Sequence, residues 1–191
     1  VALTIAGSDC SAGAGIQADL KTFQHFQVHG LTAVTCVVSE TANIVRAVHP
    51  VPVGIVSDQV SLLLESFPVA AVKTGMLFSA EHVRAVASIL SSHPGLNVVV
   101  DPVMISTSGT RLLQPDAIAV LQNRLLPLAA VITPNRAEAE FLAERQIRSL
   151  GDAHEVAATL SVRYGTAVVV KGGHLAGARA IDVLMYENRV Y

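Results

Sequence analysis

The chain has 191 residues, 51% of them apolar and 15% charged, with a formal net charge of -2; disorder is excluded, and no basic surface recommends nucleic acid. No apolar run reaches the ~18 residues of a membrane span, and Val1 leads straight into a strand without the charged region of a signal peptide, so the expectation is one cytoplasmic domain with a sizeable core. Cys10 and Cys36 have no metal-ligand spacing and are expected as free thiols, and the scattered histidines give a zinc site little support.

In chain order, short apolar runs alternate with longer amphipathic stretches. Ala2–Ala6 reads as a buried strand and Ile16–Val28 as a helix, with Ile16, Leu20, Phe23 and Val28 near helical spacing. Leu31–Ser39 is β-branched and strand-like, and Val45–Val51 predicts a short, more exposed strand. Val53–Ser66 predicts a helix, Val69–Lys73 a strand, and Ala80–Ser92 a helix with Glu81 in its first turn. Val98–Val100 is a strand core, and Pro115–Leu125 a helix with proline near its start. A strand at Ala129–Ile132, helices at Arg136–Glu144 and Asp152–Tyr164, and a strand at Thr166–Val170 follow. Ile181–Tyr186 and Arg189–Tyr191 predict a closing hairpin around Glu187-Asn188. Such alternation implies βαβ crossovers and a mostly parallel sheet, buried on both faces, hence runs such as VVV at 98–100 and 168–170.

Ligands of an open α/β sheet bind outside the carboxyl ends of the strands. The residues that follow the apolar runs are therefore the candidates: Ser8 and Asp9, Glu40, Lys73 and Thr74, Asp101, then Thr133, Asn135 and Glu138, and finally Lys171. Only three lysines occur, and Lys73 and Lys171 both close a strand, where the plainer alternative is a lysine paired with a nearby acid. Glycines gather at the same ends: Gly7, Gly13 and Gly15, then Gly75, then Gly172 and Gly173. Glycine lets backbone N–H groups approach a phosphate closely.

Residues 13–18 (GAGIQA) match the dinucleotide fingerprint G-x-G-x-x-A. Against that reading, Gly13 comes seven residues after Ala6 rather than directly after the strand, which predicts a longer loop folded over a ligand.

Residues 2–22, ALTIAGSDCSAGAGIQADLKT, resemble the opening of the hydroxymethylpyrimidine/phosphomethylpyrimidine kinases of thiamine biosynthesis, ribokinase-like enzymes close to one group of pyridoxal kinases. The resemblance continues through Lys73-Thr74-Gly75-Met76-Leu77, Val100-Asp101-Pro102-Val103-Met104 with Ser108-Gly109, Ile132-Thr133-Pro134-Asn135 with Glu138, and Val170-Lys171-Gly172-Gly173-His174. Five motifs in register cover essentially the whole chain. The resemblance implies an α/β, ribokinase-like, three-layer αβα sandwich with a mostly parallel central sheet, a single kinase domain over residues 1–191. It implies that Gly7 and Asp19 hold an aminopyrimidine, with Met76 and Val103 lining its pocket. Asp19 by position alone reads as a solvated helix carboxylate. Asp101 and Glu138 are implied to organise Mg2+, and Asn135, Lys171 and Gly173 to contact ATP. The implied reaction is phosphorylation of the substrate hydroxymethyl group by ATP and then of the monophosphate. Positioning and charge neutralisation dominate such transfers, and magnesium needs only one or two carboxylates.

Two departures from the family pattern matter. Glu40 stands in residues 38–43 (VSETAN), where much of the family has glutamine; a carboxylate only accepts hydrogen bonds unless protonated, so Glu40 is expected either to bind the substrate by accepting from its exocyclic amino group and favouring protonation of a ring nitrogen, or to shift the preference to a different ring. The family's Gly-Thr-Gly segment, whose N–H groups form the anion hole, is not in this chain, which predicts an incomplete chain whose catalytic residues lie beyond Tyr191 and which is a poor kinase as written. The competing readings are a pyridoxal kinase, a non-catalytic pyrimidine-binding protein, and a nicotinamide-dependent enzyme using Gly13, Gly15 and Ala18. The apolar composition and the exposed strand near Val45–Val51 predict a homodimer.

Overall fold

The computed structural model describes residues 1–41, 43–104, 113–172 and 180–191. In chain order its elements are β1 (Ala2–Asp9), α1 (Gly15–His25), β2 (Gly30–Thr41), β3 (Ile44–Pro50), α2 (Val53–Ser66), β4 (Ala71–Thr74) and α3 (Ala80–Ser91). β5 (Asn97–Val100), α4 (Pro115–Val120), β6 (Val131–Ile132), α5 (Arg136–Ala143), α6 (Leu150–Tyr164), β7 (Ala167–Val170), β8 (Val183–Tyr186) and β9 (Arg189–Val190) follow.

The strands form one sheet in the order β3-β2-β1-β4-β5-β6-β7-β8-β9. Neighbours from β2 through β7 are parallel, while β3, β8 and β9 join antiparallel. The chain leaves β1 through α1 to β2 on one side, and returns through β3 and α2 to β4 on the other. That reversal opens a crevice at the carboxyl ends of β1 and β4, where α/β sheets bind ligands.

Both sheet faces are covered. Leu3, Ile5, Leu31 and Ala33 lie in register on one face and join a core with Val56 and Val60 of α2 and Val83 and Val86 of α3. Thr4 and Lys73, in register on the opposite face, both reach Asp19 of α1. A Cβ on Gly30 would sit 2.7 Å from Leu20 and 2.8 Å from Phe23, so α1 closes on β2 only where no side chain intervenes. The expected α/β architecture is present.

Several boundaries differ from the sequence reading. β1 runs on to Asp9, because a bulge at Ala6/Ser8 lets Ser8 and Asp9 keep pairing with Val37 and Val38. The loop before Gly13 is therefore shorter than expected. α1 stops at His25, and Gln27 turns left-handed at φ 57°. His25 and His29, although four residues apart, thus do not share a helix face; His29 stacks on Phe67. Residues 121–125, expected as α-helix, wind as a π-turn and pass into a 3₁₀ turn at Leu126–Leu128. Pro127 there has no N–H and crowds the carbonyl four residues back. The closing hairpin forms where expected, with Glu187 and Asn188 at φ 48° and 59°, the left-handed pair of a tight two-residue turn. Among the described residues no helix is long and apolar enough to cross a membrane.

Candidate functional site

A cleft of about 520 Å³ opens at the carboxyl ends of the strands. Its wall begins with the loop after β1, which Asp9 organises. The Asp9 carboxylate is buried and accepts from the Ser11 N–H (2.7 Å) and hydroxyl (3.1 Å), and from the N–H groups of Gly13 (3.0 Å) and Ala14 (2.8 Å). Burial alone would raise its pKa; the hydrogen bonds from Ser11, Ala14 and Gly13 together outweigh burial and hold it below the usual value. Gly15 begins α1 at φ 60°, and a Cβ there would collide with the Gly7 carbonyl. The strand-end position of Asp9 was legible in the sequence. Its role was not: the signal is an aspartate followed by serine at +2 and glycine at +4, within reach of its own loop amides.

The same geometry disposes of the dinucleotide reading. The Gly13 and Ala14 amides that would face a pyrophosphate already donate to Asp9.

At one end of the cleft, Asp19 is not a solvated helix carboxylate. Its Oδ2 accepts from Thr4 Oγ1 at 2.6 Å and from Lys73 Nζ at 3.0 Å. Gly75 leaves room for that lysine, since a Cβ would lie 3.1 Å from Lys73 Nζ. Gly7 is held bare by Cys36, whose Sγ would be 2.9 Å from an added Cβ. Met76 is buried against Cys36 (Sγ to Sδ 3.7 Å), and its carbonyl accepts from Thr35 Oγ1 at 2.6 Å, with Val103 packed against this group. Burial raises the pKa of the Cys36 thiol. Glu40 lines the cleft from the end of β2, fixed through its backbone: its N–H donates to Cys10 Sγ (3.3 Å), whose thiol in turn faces the Glu40 carbonyl (3.2 Å). Burial first, and then the Asp9 charge, raise the Glu40 carboxyl pKa.

At the other end, Lys171 Nζ donates to Asp101 Oδ1 at 2.9 Å. Asn135 caps α5: its Oδ1 accepts from the Glu138 N–H (3.0 Å), while Glu138 Oε2 accepts from the Asn135 N–H (2.8 Å). Glu138 Oε1 also accepts from the Met104 N–H at 3.3 Å. Burial, only partly offset by the Asn135 N–H and reinforced by Asp101, pushes the Glu138 carboxyl up to about 7. The Asn135–Lys171 bridge continues the pairing beyond β6 and β7, three residues past Ile132 and one past Val170, and both residues line the cleft.

Every expected site residue that falls among the described ones lines this single cleft: Gly7, Asp19, Glu40, Met76 and Val103 toward one end, Asp101, Asn135, Glu138 and Lys171 toward the other. Gly173 lies outside the described residues. Both strand-end lysines are ion-paired, so the plainer alternative holds for each even though each faces the cleft. The donor set is compatible with magnesium. Asp101 keeps its second oxygen clear of Lys171, and Glu138 keeps lone pairs beyond its two amide contacts. Among the described residues no three His, Cys, Asp or Glu side chains cluster as metal ligands.

Residues 9–191 match the family model described as phosphomethylpyrimidine kinase. The hydroxymethylpyrimidine/phosphomethylpyrimidine kinase of Rhizobium meliloti is 47% identical over 186 residues, spanning 96% of this chain and 69% of its own. The crystal structure of a phosphomethylpyrimidine kinase from Clostridium difficile superposes with a TM-score of 0.91 at 40% identity, covering 100% of this chain and 82% of its own. A Bacillus subtilis pyridoxal kinase, solved as an ADP complex, gives 0.90 at 37% identity, covering 100% and 73%. The chain spans 38% of a longer relative from Schizosaccharomyces pombe and 37% of a thiamine biosynthesis bifunctional protein from Geobacter sulfurreducens.

Proposed function

The chain belongs to the phosphomethylpyrimidine kinase family, and from that membership we propose that its protein transfers the γ-phosphoryl group of ATP to the hydroxymethyl oxygen of 4-amino-5-hydroxymethyl-2-methylpyrimidine, and then phosphorylates the monophosphate. The observation that carries this reading is the division of one cleft into two chemically different ends. Asp19, held by Thr4 and Lys73, and Glu40 offer acceptors for an aminopyrimidine, while Gly7 lines the cleft and Met76 and Val103 give the ring an apolar wall. At the opposite end Lys171 and Asn135 receive the ATP phosphates. Lys171 exchanges part of its contact with Asp101 for phosphate oxygens and lowers the charge that builds up during transfer. Asp101 and Glu138 would hold Mg2+, and the ion would supply positive charge to offset that of the phosphates.

The protein acts on this reading as a single kinase domain through residues 1–191, in the cytoplasm. Its homodimer would use the β3 edge, where Ile44 at the start of β3 and Val37 of β2, paired with His49 near the end of β3, are exposed.

Steady-state ATP consumption by the full-length protein tests the function. Turnover should depend on added hydroxymethylpyrimidine and yield mono- and diphosphate products. A second reading, pyridoxal phosphorylation, is favoured by the superposition on the pyridoxal kinase. Pyridoxal turned over faster than the pyrimidine would establish that reading instead, and saturable pyrimidine binding without turnover would leave a binding protein.

A further inference from the structure

Three carboxylates line the pyrimidine end of the cleft: Asp9, Asp19 and Glu40. Two are satisfied by the fold. Asp9 is taken up by the amides and hydroxyl of its own loop, and Asp19 by Thr4 and Lys73. Glu40 differs. Its backbone is pinned to the Cys10 thiol, but its carboxylate accepts no hydrogen bond from the described residues.

No cation faces Glu40 among the described residues. Lys73 is committed to Asp19, and Lys21 of α1 donates to the Ala12 carbonyl at 2.7 Å. β1 contributes the Asp9 carboxylate, the following loop contributes the Cys10 thiol, and β2 itself contributes the buried Cys36. β3 brings Val45 to the cleft wall, while its Arg46 and His49 are exposed. A half-buried carboxylate beside a second carboxylate favours a proton or a positive partner, in keeping with the raised pKa of Glu40.

The ligand supplies the other half of the argument. The edge of a neutral 4-aminopyrimidine presents an amino donor next to a ring-nitrogen lone pair. A carboxylate presents two acceptors. One oxygen takes the amino hydrogen, and the other faces the ring lone pair and is repelled. A proton between them, on the ring nitrogen or on the carboxyl, converts the repulsion into a second hydrogen bond and gives a parallel two-bond pair of the kind that arginine makes with carboxylates. Glutamine would need no such proton, because its amide both accepts and donates.

We propose that Glu40 binds the pyrimidine together with one proton taken from solvent, so that substrate recognition at this site is coupled to proton uptake. The inference deepens the proposed function and rests on its aminopyrimidine assignment.

Calorimetric titration of the full-length protein with 4-amino-5-hydroxymethyl-2-methylpyrimidine, in two buffers of different ionisation enthalpy, reads the coupling. At pH 8 the wild type should take up a fraction of a proton approaching one per pyrimidine, and Glu40→Gln should take up almost none. Wild-type affinity should fall by up to about tenfold per pH unit above neutrality, while that of Glu40→Gln stays flat. Binding at pH 8 without proton uptake would overturn the proposal. So would equal uptake by Glu40→Gln, which would put the proton on another group. Failure of both proteins to bind the pyrimidine while either binds pyridoxal would overturn the substrate assignment itself, and the inference with it.

Discussion

Thr74 stands in register between Ile5 and Val100, at the strand end just before the cleft, and is fully buried. Its hydroxyl has no hydrogen-bond partner among the described residues. A buried, unsatisfied hydroxyl costs about 1–3 kcal/mol relative to an apolar group of the same shape. Thr74→Val keeps the shape and removes the cost, so stability should rise by about 1 kcal/mol. Urea denaturation checks this: the midpoint should move up with the slope unchanged. An unchanged or lower midpoint would mean that the hydroxyl is satisfied in solution. Asp19 illustrates the opposite outcome at the same scale. Helical position alone makes it a surface carboxylate; only the resemblance marked it for the site, and its contacts with Thr4 and Lys73 come from residues 15 and 54 positions away. No local pattern carries that information.

The loop between β1 and α1 is one unit because Asp9 holds it. Asp9→Asn would retain one acceptor and turn amide hydrogens toward donors already present, so the loop should lose about 1–2 kcal/mol at neutral pH. The acid dependence has a definite sign. A carboxyl whose folded pKa is depressed contributes stability that is present above its unfolded value, near 3.8, and lost as pH falls through the folded value. Unfolding midpoints measured from pH 5 down to pH 2 should therefore decline more gently in Asp9→Asn than in the wild type. Parallel profiles would show that Asp9 does not anchor the loop. Helix α5 shows how an element shares its residues between tasks. Asn135 and Glu138 stand three apart, the spacing of a reciprocal helix cap, and they form one. The cap spends two hydrogen bonds of the same side chains that face the cleft, so local structure and site geometry are built from one pair.

For the whole molecule, the two ends of the cleft should respond separately to ligands. Binding to the folded state alone at a hundredfold excess over Kd stabilises by about 2.7 kcal/mol, roughly 5–10 °C for a domain of this size. A non-hydrolysable ATP analogue with Mg2+ and the hydroxymethylpyrimidine should each raise Tm, and together they should raise it by about the sum. A combined shift no larger than the greater single one would mean overlapping sites. Local sequence was enough to read the alternation of strands and helices, because apolar periodicity and caps are local, and to read the strand-end positions of Glu40, Lys73, Asp101 and Lys171. It also carried the family motifs. The remainder depends on which distant parts of the chain meet. The switch between β1 and β4 depends on which neighbour each strand pairs with, and the bulge that extends β1 depends on β2. Lys73 pairs with Asp19 and Asp9 takes up its own loop amides, so Glu40 is the carboxylate at that end of the cleft that accepts no hydrogen bond from the described residues. Such choices are made by contacts between residues far apart in the chain, where burial and charge balance are set by the assembled fold.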